Sequence, residues 1–366
     1  MSDKFIMQMR PLFGLEEKRA ISEYMEEDGF LTEFKRTTEF ENRIAEYVGS
    51  KHCIVVNNGT ISLTLAALAI GIGVGDEVIV PNYTMIATPN SIKMIGATPV
   101  FVDVESETLC LDIDLIKRAI TPRTRAIYMV SANGRFPSSG IQSFEKFAQE
   151  HNLVLIEDAA QSLGSFYPDG RHVGRAGLIG SFSFSAPKII STGQGGALIT
   201  DDEELASKLR KLKDFGRSSG GNDIHDSVGF NFKFTELQAC VGIEQMKKLP
   251  QRVIRKKEIW RKYYDQLKTV NEVKLFEHNL LYTTPWFIDA KVCRRDELVD
   301  YLKVKGVGTR NMYPPINSQL AYSESGDFPV SSDVGMNGIW LPSSIDLSDS
   351  DITYICSVIS EFYKTV

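Results

Sequence analysis

The chain has 366 residues, of which 43% are hydrophobic and 24% are charged, and its formal net charge is −6. This composition is typical of a globular protein, and the acidic balance argues against a general nucleic-acid binder, which would carry a basic stripe. No apolar run approaches the ~20 residues of a membrane span, and the five cysteines form no CxxC pair. We therefore expect a cytoplasmic protein without membrane contact, and the length favours two domains.

Short apolar runs alternate with amphipathic stretches from about residue 53 onward. Seven runs are predicted to be strands: CIVV, DEVIVP, TPVFVDV, RAIYMV, LVLIEDA, GSFSFS and GGALIT. Continuous apolar strands separated by helical segments indicate parallel pairing covered on both faces, so the sequence predicts an α/β sheet domain. A long charged amphipathic helix begins near residue 246. We place a domain boundary there, with residues 1–245 forming the larger domain and residues 246–366 the smaller one.

Asp158 ends the apolar run LVLIED and therefore lies at the carboxyl end of a predicted buried strand. Ligands bind at this end of the strands in open α/β sheets. A carboxylate in such a place is costly unless it meets a cation. The alternative interpretation is an aspartate that caps a following helix, and this stretch alone does not decide between the two.

The turn NNGT, residues 57–60, joins a predicted strand to the apolar helix pattern ISLTLAALA. The N-terminus of a helix presents free N–H groups and a partial positive charge, so such a turn can bind a phosphate. Ordinary capping of the helix by an asparagine or threonine is the simpler alternative.

Lys188 stands alone between alternating serines and a glycine-rich turn in the stretch SFSFSAPKIISTGQGGALIT, residues 181–200. Alternation along a strand places Ser181, Ser183 and Ser185 on one face. If that face looks into the ligand crevice, a serine can donate to a phosphate. A lysine in a partly apolar pocket has a lowered pKa and becomes nucleophilic. The alternative is a solvated surface lysine.

These three stretches together fit one cofactor, pyridoxal phosphate. It requires a lysine for its aldehyde, a carboxylate for its pyridinium nitrogen and a helix N-terminus for its phosphate. Each stretch alone is a weak signal, but their order along the chain is far more specific.

The chain resembles the DegT/DnrJ/StrS family of pyridoxal-phosphate sugar aminotransferases. The resemblance is carried by NNGTISLTLAALAIGIGVGDEVIVP, IGATPVFVDV, ITPRTRAI, LVLIEDAAQSLGS, SFSFSAPKIISTGQGGALIT and GFNFKFTELQACVGIEQM. It implies the aspartate-aminotransferase fold (fold type I), with a mixed, mostly parallel seven-stranded sheet and a smaller α+β C-terminal domain. It also implies transfer of an amino group from L-glutamate to a keto sugar, in particular a nucleotide-linked 4-keto-6-deoxy sugar, in surface polysaccharide biosynthesis.

The resemblance further implies the roles of individual residues. Lys188 matches the family's Schiff-base lysine, Asp158 the acid that pairs with the pyridine nitrogen, and Gln161 the residue near the cofactor's phenolic oxygen. The residues expected at the cofactor phosphate are Gly59, Thr60 and Ser183. Asn231 matches an asparagine that reaches the phosphate of the neighbouring subunit, which implies a homodimer with shared active sites. Thr235 and Gln238, in the same segment, form a capping box that predicts the start of a helix.

The chain also departs from the family pattern. In the run PNYTM, Met85 stands where an aromatic residue often stacks on the cofactor ring; either Met85 packs there or Tyr83 substitutes, and we favour Met85. The segment VSANGR, residues 130–135, replaces the usual VHLYG at the expected substrate mouth. The candidate substrate contacts are Tyr83, Asn133, Arg135, Tyr313 and Asn317.

These departures leave alternatives for the function. The altered VSANGR segment suggests an enzyme acting on a smaller phosphorylated ketone or amino acid. A regulatory protein that keeps the fold without turnover is a further alternative. The sugar 3-dehydratase branch of the family carries a histidine in place of the lysine, and Lys188 argues against it. No metal site is expected, because the five histidines show no metal-ligand spacing.

Overall fold

The computed structural model describes residues 5–27, 29–218 and 223–364. Within these residues the larger sheet has seven strands: β1 His52–Val56, β2 Glu77–Pro81, β3 Thr98–Val102, β4 Thr124–Val130, β5 Val154–Asp158, β6 Ile179–Ser183 and β7 Gly196–Thr200. Their order in the sheet is β1-β7-β6-β5-β4-β2-β3. Only β7 runs antiparallel to its neighbours. The predicted mixed, mostly parallel sheet is confirmed, and every predicted strand run contributes to it.

The described ranges contain eleven α-helices. They are α1 Leu15–Glu26, α2 Lys35–Val48, α3 Gly59–Ala69, α4 Ala87–Lys93, α5 Ile113–Ala119, α6 Ile141–Glu150, α7 Glu203–Lys213, α8 Glu236–Leu267, α9 Arg295–Val304, α10 Pro329–Asn337 and α11 Asp349–Lys364. Thr235 caps α8 by accepting a hydrogen bond from the Gln238 amide at 3.3 Å, as the capping box predicts. None of these helices combines the length and the apolar character that a membrane crossing requires.

Helices cover both faces of the larger sheet, which explains why its strands are continuously apolar. On one face, Phe40 of α2 and Phe144 of α6 belong to a fully buried cluster. On the other face, Leu65 of α3 and Ile92 of α4 belong to a second cluster. Most residues of helix α3 are buried, which agrees with its apolar sequence on nearly all sides.

A second, smaller sheet is built from the C-terminal part of the chain. Its strands, β8 Val273–Leu275, β9 Ile288–Val292, β10 Arg310–Asn311 and β11 Gly338–Leu341, pair antiparallel in the order β10-β11-β9-β8. Side chains of α9, α11 and the end of α8 complete its own core. This arrangement confirms the expected smaller α+β part.

Helix α8 runs without interruption across the position where we place the domain boundary. Ile243 packs in a core cluster of the larger sheet, whereas Tyr263 packs in the core of the smaller one. The N-terminal segment also lies on the smaller sheet's side, because the Ile6 amide donates to the Gly306 carbonyl at 2.8 Å. The division at residue 245 stays a prediction, and one helix is shared by both parts.

Lys256 lies on α8 between the two cores and is only 1% exposed. Its ammonium donates to the carbonyls of Trp286 and Ser343, both at 2.6 Å. Burial, and to a lesser extent the charge of Arg252, lowers the pKa of Lys256 to about 7. The folded protein therefore disfavours the charged form of this lysine.

We expect the stability difference between wild type and a Lys256→Met variant to depend on pH. In the unfolded chain lysine has a pKa of about 10.4. Between about pH 7 and about pH 10 the unfolded state thus binds more protons, so the free energy of unfolding of wild type should rise relative to the variant, by about 4 kcal/mol in all. Urea unfolding across this range measures the difference. The control is Lys247→Met, at an exposed position on the same helix, whose free energy of unfolding should depend on pH as that of wild type does. If the free energy of unfolding of Lys256→Met also depended on pH as that of wild type does, the prediction would be contradicted.

Candidate active site

A cavity of about 670 Å³ lies at the carboxyl ends of the parallel strands, facing residues of the C-terminal part. This is the position at which open α/β sheets bind ligands. The residues from the sequence prediction that line it are Gly59, Thr60, Met85, Asp158, Gln161, Ser183, Lys188 and Tyr313. The fold therefore brings together three stretches that are far apart along the chain.

Lys188 follows β6 and extends into this cavity. Its Nζ lies 4.1 Å from the centroid of the Trp286 ring, and the Trp286 indole N–H is held by the Pro187 carbonyl at 2.7 Å. Burial lowers the pKa of Lys188 to about 8, opposed by the charge of Asp158 and reinforced by that of Arg310. A substantial neutral fraction near neutral pH makes this amine a nucleophile and a base, unlike a solvated surface lysine.

Asp158 is the last residue of β5 and is 5% exposed. The Thr88 hydroxyl donates to Oδ2 at 2.7 Å, and the Ala160 amide donates to Oδ1 at 3.2 Å. Burial raises the pKa of Asp158, while these hydrogen bonds and the charge of Lys188 act in the opposite direction. The chain continues in turns after Asp158, so the helix-capping alternative is wrong. The carboxylate is instead placed to stabilise a positive charge inside the cavity.

The N-terminus of α3 forms one end of the cavity. The Asn58 side chain caps the helix by accepting from the Ile61 amide at 2.9 Å, whereas the amides of Gly59 and Thr60 find no acceptor among the described residues. A Cβ at position 59 would lie 2.8 Å from the Cβ of Ser183, so only glycine lets this helix end approach the end of β6. Two N–H groups and a serine hydroxyl thus surround a space suited to a phosphate.

Comparison with known proteins agrees with the family resemblance seen in the sequence. The sequence model of the DegT/DnrJ/EryC1/StrS aminotransferase family matches residues 13–360. The chain belongs to this family. The protein is therefore an aminotransferase.

Three relatives illustrate how far the similarity extends. The aminotransferase is 35% identical to GDP-perosamine synthase of Escherichia coli O157:H7 over 365 residues, which is 99% of each chain. It is 33% identical to spore coat polysaccharide biosynthesis protein SpsC of Bacillus subtilis, covering 98% of this chain and 97% of that one. Among solved structures, aminotransferase TlmJ of Streptoalloteichus hindustanus superimposes with a TM-score of 0.92 at 30% identity, covering 98% and 99% of the two chains.

Two further predicted cofactor contacts of the aminotransferase line the same cavity as Lys188 and Asp158. Gln161 lines the cavity, and its Oε1 accepts from the Asn133 amide at 2.7 Å. Met85 also lines the cavity, whereas Tyr83 is 4% exposed and packs against the Tyr313 ring at 5.9 Å. The position of Met85 agrees with the interpretation that we favour, and Tyr83 lies behind Tyr313 instead of at the cavity surface.

The prediction that Asn133 and Arg135 contact the substrate is corrected by the structure. Both side chains are 3% exposed and neither lines the cavity. The Asn133 side chain donates to the Phe287 carbonyl at 2.9 Å and accepts from the Phe287 amide at 2.6 Å. Arg135 pairs with Asp289 at 2.7 Å and also bonds His278 at 3.0 Å. The VSANGR segment therefore ties the larger sheet to β9.

The prediction for Asn317 is also corrected. The side-chain oxygen of Asn317 accepts a hydrogen bond from the Asn82 side chain at 2.9 Å. The backbone amide of Asn317 donates to the side-chain oxygen of Asn82, also at 2.9 Å. Asn317 does not line the cavity but fastens the loop that carries Tyr313. Asn231 is exposed and lies outside the cavity of its own chain, so its contact with a second subunit stays a prediction.

Several residues of the site were not predicted, and four of them bear directly on its chemistry. Thr88 holds the Asp158 carboxylate, and the far wall of the cavity contains Trp286, Arg310 and Gln319. The last three belong to the C-terminal part, where no strand-end pattern marks them. Arg310 lies three residues before Tyr313, in the stretch RNMYPP, and a positive charge so close to a predicted substrate contact is the signal that could have pointed to it.

Proposed function

We propose that the aminotransferase binds pyridoxal phosphate and transfers an amino group from L-glutamate to a nucleotide-linked 4-keto-6-deoxy sugar in surface polysaccharide biosynthesis. The observation that carries the proposal is that Lys188, Asp158 and the N-terminus of α3 all face one cavity. These are the three groups that this cofactor requires.

The residues present fit the cofactor. The free amides of Gly59 and Thr60, together with Ser183, would hold the phosphate, and the missing Cβ of Gly59 is what keeps these groups close together. Asp158 would hold the protonated ring nitrogen, since a buried carboxylate with a raised pKa is stabilised by an adjacent cation. Met85 and Gln161 would lie beside the ring.

When bound, pyridoxal phosphate supplies an aldehyde that reacts with amines and a ring that accepts electrons from the donor's α-carbon. Lys188 supplies the amine that takes the proton from that α-carbon and later returns one to the product. Its lowered pKa of about 8 suits this task, because a base acts best when its pKa is near the working pH. Trp286 covers the amine on one side and limits the access of water.

Two observations support the sugar substrate. The relatives include a GDP-perosamine synthase and a protein of spore coat polysaccharide biosynthesis, both matched over nearly their full length. In addition, Asn133 and Arg135 lie outside the cavity lining, so the VSANGR segment gives no reason to favour a smaller phosphorylated ketone. We also propose that the enzyme acts in the cytoplasm as a homodimer, with the exposed Asn231 of each chain completing the phosphate site of the other.

The proposal predicts a colour change in two half-reactions. The protein loaded with pyridoxal phosphate should absorb near the edge of the visible range and lose that absorption on addition of L-glutamate, with release of 2-oxoglutarate. D-Glutamate is the control and should leave the spectrum unchanged. A nucleotide-linked 4-keto-6-deoxy sugar should then restore the absorption. Failure of every L-amino acid to change the spectrum would refute the aminotransferase reaction, and recovery with small keto phosphates alone would refute the sugar substrate.

A further inference from the structure

Asn133 has a backbone conformation that few residues adopt. It lies in the short 3₁₀ turn Ala132–Gly134 after β4, with φ 53° and ψ 29°. This is the left-handed region, which asparagine tolerates better than most residues with a side chain. The next residue, Gly134, is so close to the C-terminal part that a Cβ would lie 2.2 Å from the Thr284 carbonyl oxygen. The turn therefore makes direct backbone contact with the segment that leads to Trp286 and Phe287.

Two hydrogen bonds hold the Asn133 side chain in one orientation. Its Nδ2 donates to the Phe287 carbonyl at 2.9 Å, and its Oδ1 accepts from the Phe287 amide at 2.6 Å. A side-chain amide that donates to and accepts from the backbone of one residue cannot rotate without losing both bonds. Asn133 and Phe287 are 3% and 1% exposed, so water does not replace these bonds. The conformation of the turn is thus fixed by a residue that lies 154 positions away.

The backbone amide of Asn133 in turn sets the orientation of the Gln161 side chain. It donates to Oε1 of Gln161 at 2.7 Å. In a side-chain amide only the oxygen accepts such a bond, so Oε1 faces Asn133 and Nε2 keeps its two N–H groups as donors. Within the part of the chain that the structure describes, no group accepts from Nε2 of Gln161. Since Gln161 lines the cavity, these two N–H groups are available to an acceptor inside it.

We propose that Asn133 is a positioning residue that holds the N–H groups of Gln161 toward the phenolic oxygen of the cofactor. This inference rests on the proposed function, in which that oxygen lies near Gln161. A hydrogen bond donated to the oxygen stabilises its deprotonated form. It therefore lowers the pKa of the proton that the oxygen shares with the nitrogen contributed by Lys188. Asn133 thus acts on the cofactor through Gln161, without reaching the cavity itself.

The test follows the near-visible absorption of the protein loaded with pyridoxal phosphate as the pH is raised. The pH at which half of this absorption is lost reports the shared proton. Gln161→Met keeps the length of the side chain without its donor, and should raise this midpoint by about one pH unit or more, the loss expected for a hydrogen bond to a charged group. Asn133→Gly keeps the left-handed conformation without the side chain, and should raise the midpoint by about half a unit.

The double variant shows whether Asn133 acts through Gln161. Its midpoint should equal that of Gln161→Met alone, because the second change has no donor left to misplace. The charged and titratable side chains that line the cavity are unchanged in all of these variants: Asp158, Lys188, Arg310 and Tyr313. Asn152→Gly is the matched control, because Asn152 also has a left-handed conformation, with φ 54°, but is exposed and does not line the cavity. Its midpoint should be that of wild type.

Two further measurements do not depend on the folding of Asn133→Gly. Asn133→Ala removes the same two hydrogen bonds and also disfavours the left-handed conformation, so it should shift the midpoint at least as much. In a crystal structure of wild type loaded with cofactor, Nε2 of Gln161 should lie within hydrogen-bond distance of the phenolic oxygen. A wild-type midpoint in Asn133→Gly, a double variant that shifts by the sum of the two single variants, or an Oε1 turned toward the cofactor would overturn the inference and leave the proposed function standing. A wild-type protein that gains no near-visible absorption with pyridoxal phosphate would overturn both.

Discussion

Replacing Lys188 with alanine should abolish transamination while leaving the fold intact. The rate should fall by about 10⁴-fold, because the variant loses both the amine that reacts with the cofactor and the base that moves the proton. Stability at neutral pH should be equal to or higher than that of wild type, since the Lys188 ammonium makes no hydrogen bond or ion pair with any described residue and burial disfavours its charged form. Release of 2-oxoglutarate and thermal unfolding of the same samples measure the two effects.

A Lys188→Arg variant separates chemistry from charge. Arginine keeps the positive charge beside Asp158 but cannot give up its proton near neutral pH. We therefore expect it to be as inactive as the alanine variant. A tenth of the wild-type turnover in either variant would disprove the role of Lys188 in catalysis.

Asp158→Asn should lower turnover by about 10³-fold, because an amide does not stabilise the charge of a protonated ring nitrogen. The stability of the cofactor-free protein should be equal to or higher than that of wild type at neutral pH. The reason is that burial raises the pKa of Asp158, so the folded state holds this carboxylate in a charged form that it disfavours once the pH exceeds that pKa. Steady-state kinetics and urea unfolding without cofactor test the two halves of the prediction.

Thr88→Val provides the comparison for this variant. It removes the hydrogen bond to the Asp158 carboxylate but leaves the negative charge in place. We expect a smaller loss of turnover, of about tenfold, from this change. If Asp158→Asn bound cofactor and turned over normally, the carboxylate would have no catalytic function.

Most strands of the larger sheet could be predicted because the local sequence pattern determines where a strand forms. Most of its strands are apolar runs with β-branched residues, whereas β6, IGSFS, is marked by alternating serines and phenylalanine. The direction of β7 could not be predicted in this way, because GGALIT has the same pattern whether it pairs parallel or antiparallel. That direction depends on how the chain returns after β6, and only the resemblance to a known family indicated a mixed sheet.

The same reasoning explains which site residues were found. Asp158 ends β5 and Lys188 follows the adjacent strand β6, and the carboxyl ends of parallel strands meet at one edge of the sheet. Asn133 also follows a strand end, but its side chain is bound by Phe287, a residue 154 positions away. A pattern of single residues cannot show such a distant partner. Arg310 was not predicted because it lies in a two-residue strand of the smaller sheet, which is too short to show a periodic pattern.

The buried pair of Arg135 and Asp289 has a consequence for engineering this enzyme. Replacing the VSANGR loop with the corresponding loop of a relative, in order to change specificity, would remove Arg135. The carboxylate of Asp289, which is 1% exposed, would then lose its partner. An unpaired buried charge of this kind costs about 3–5 kcal/mol, a large share of the stability of a typical domain. A successful graft would have to exchange Asp289 and His278 together with the loop. The loop and β9 therefore have to be changed together, and changes of substrate are easier to introduce on the far wall of the cavity, at Gln319.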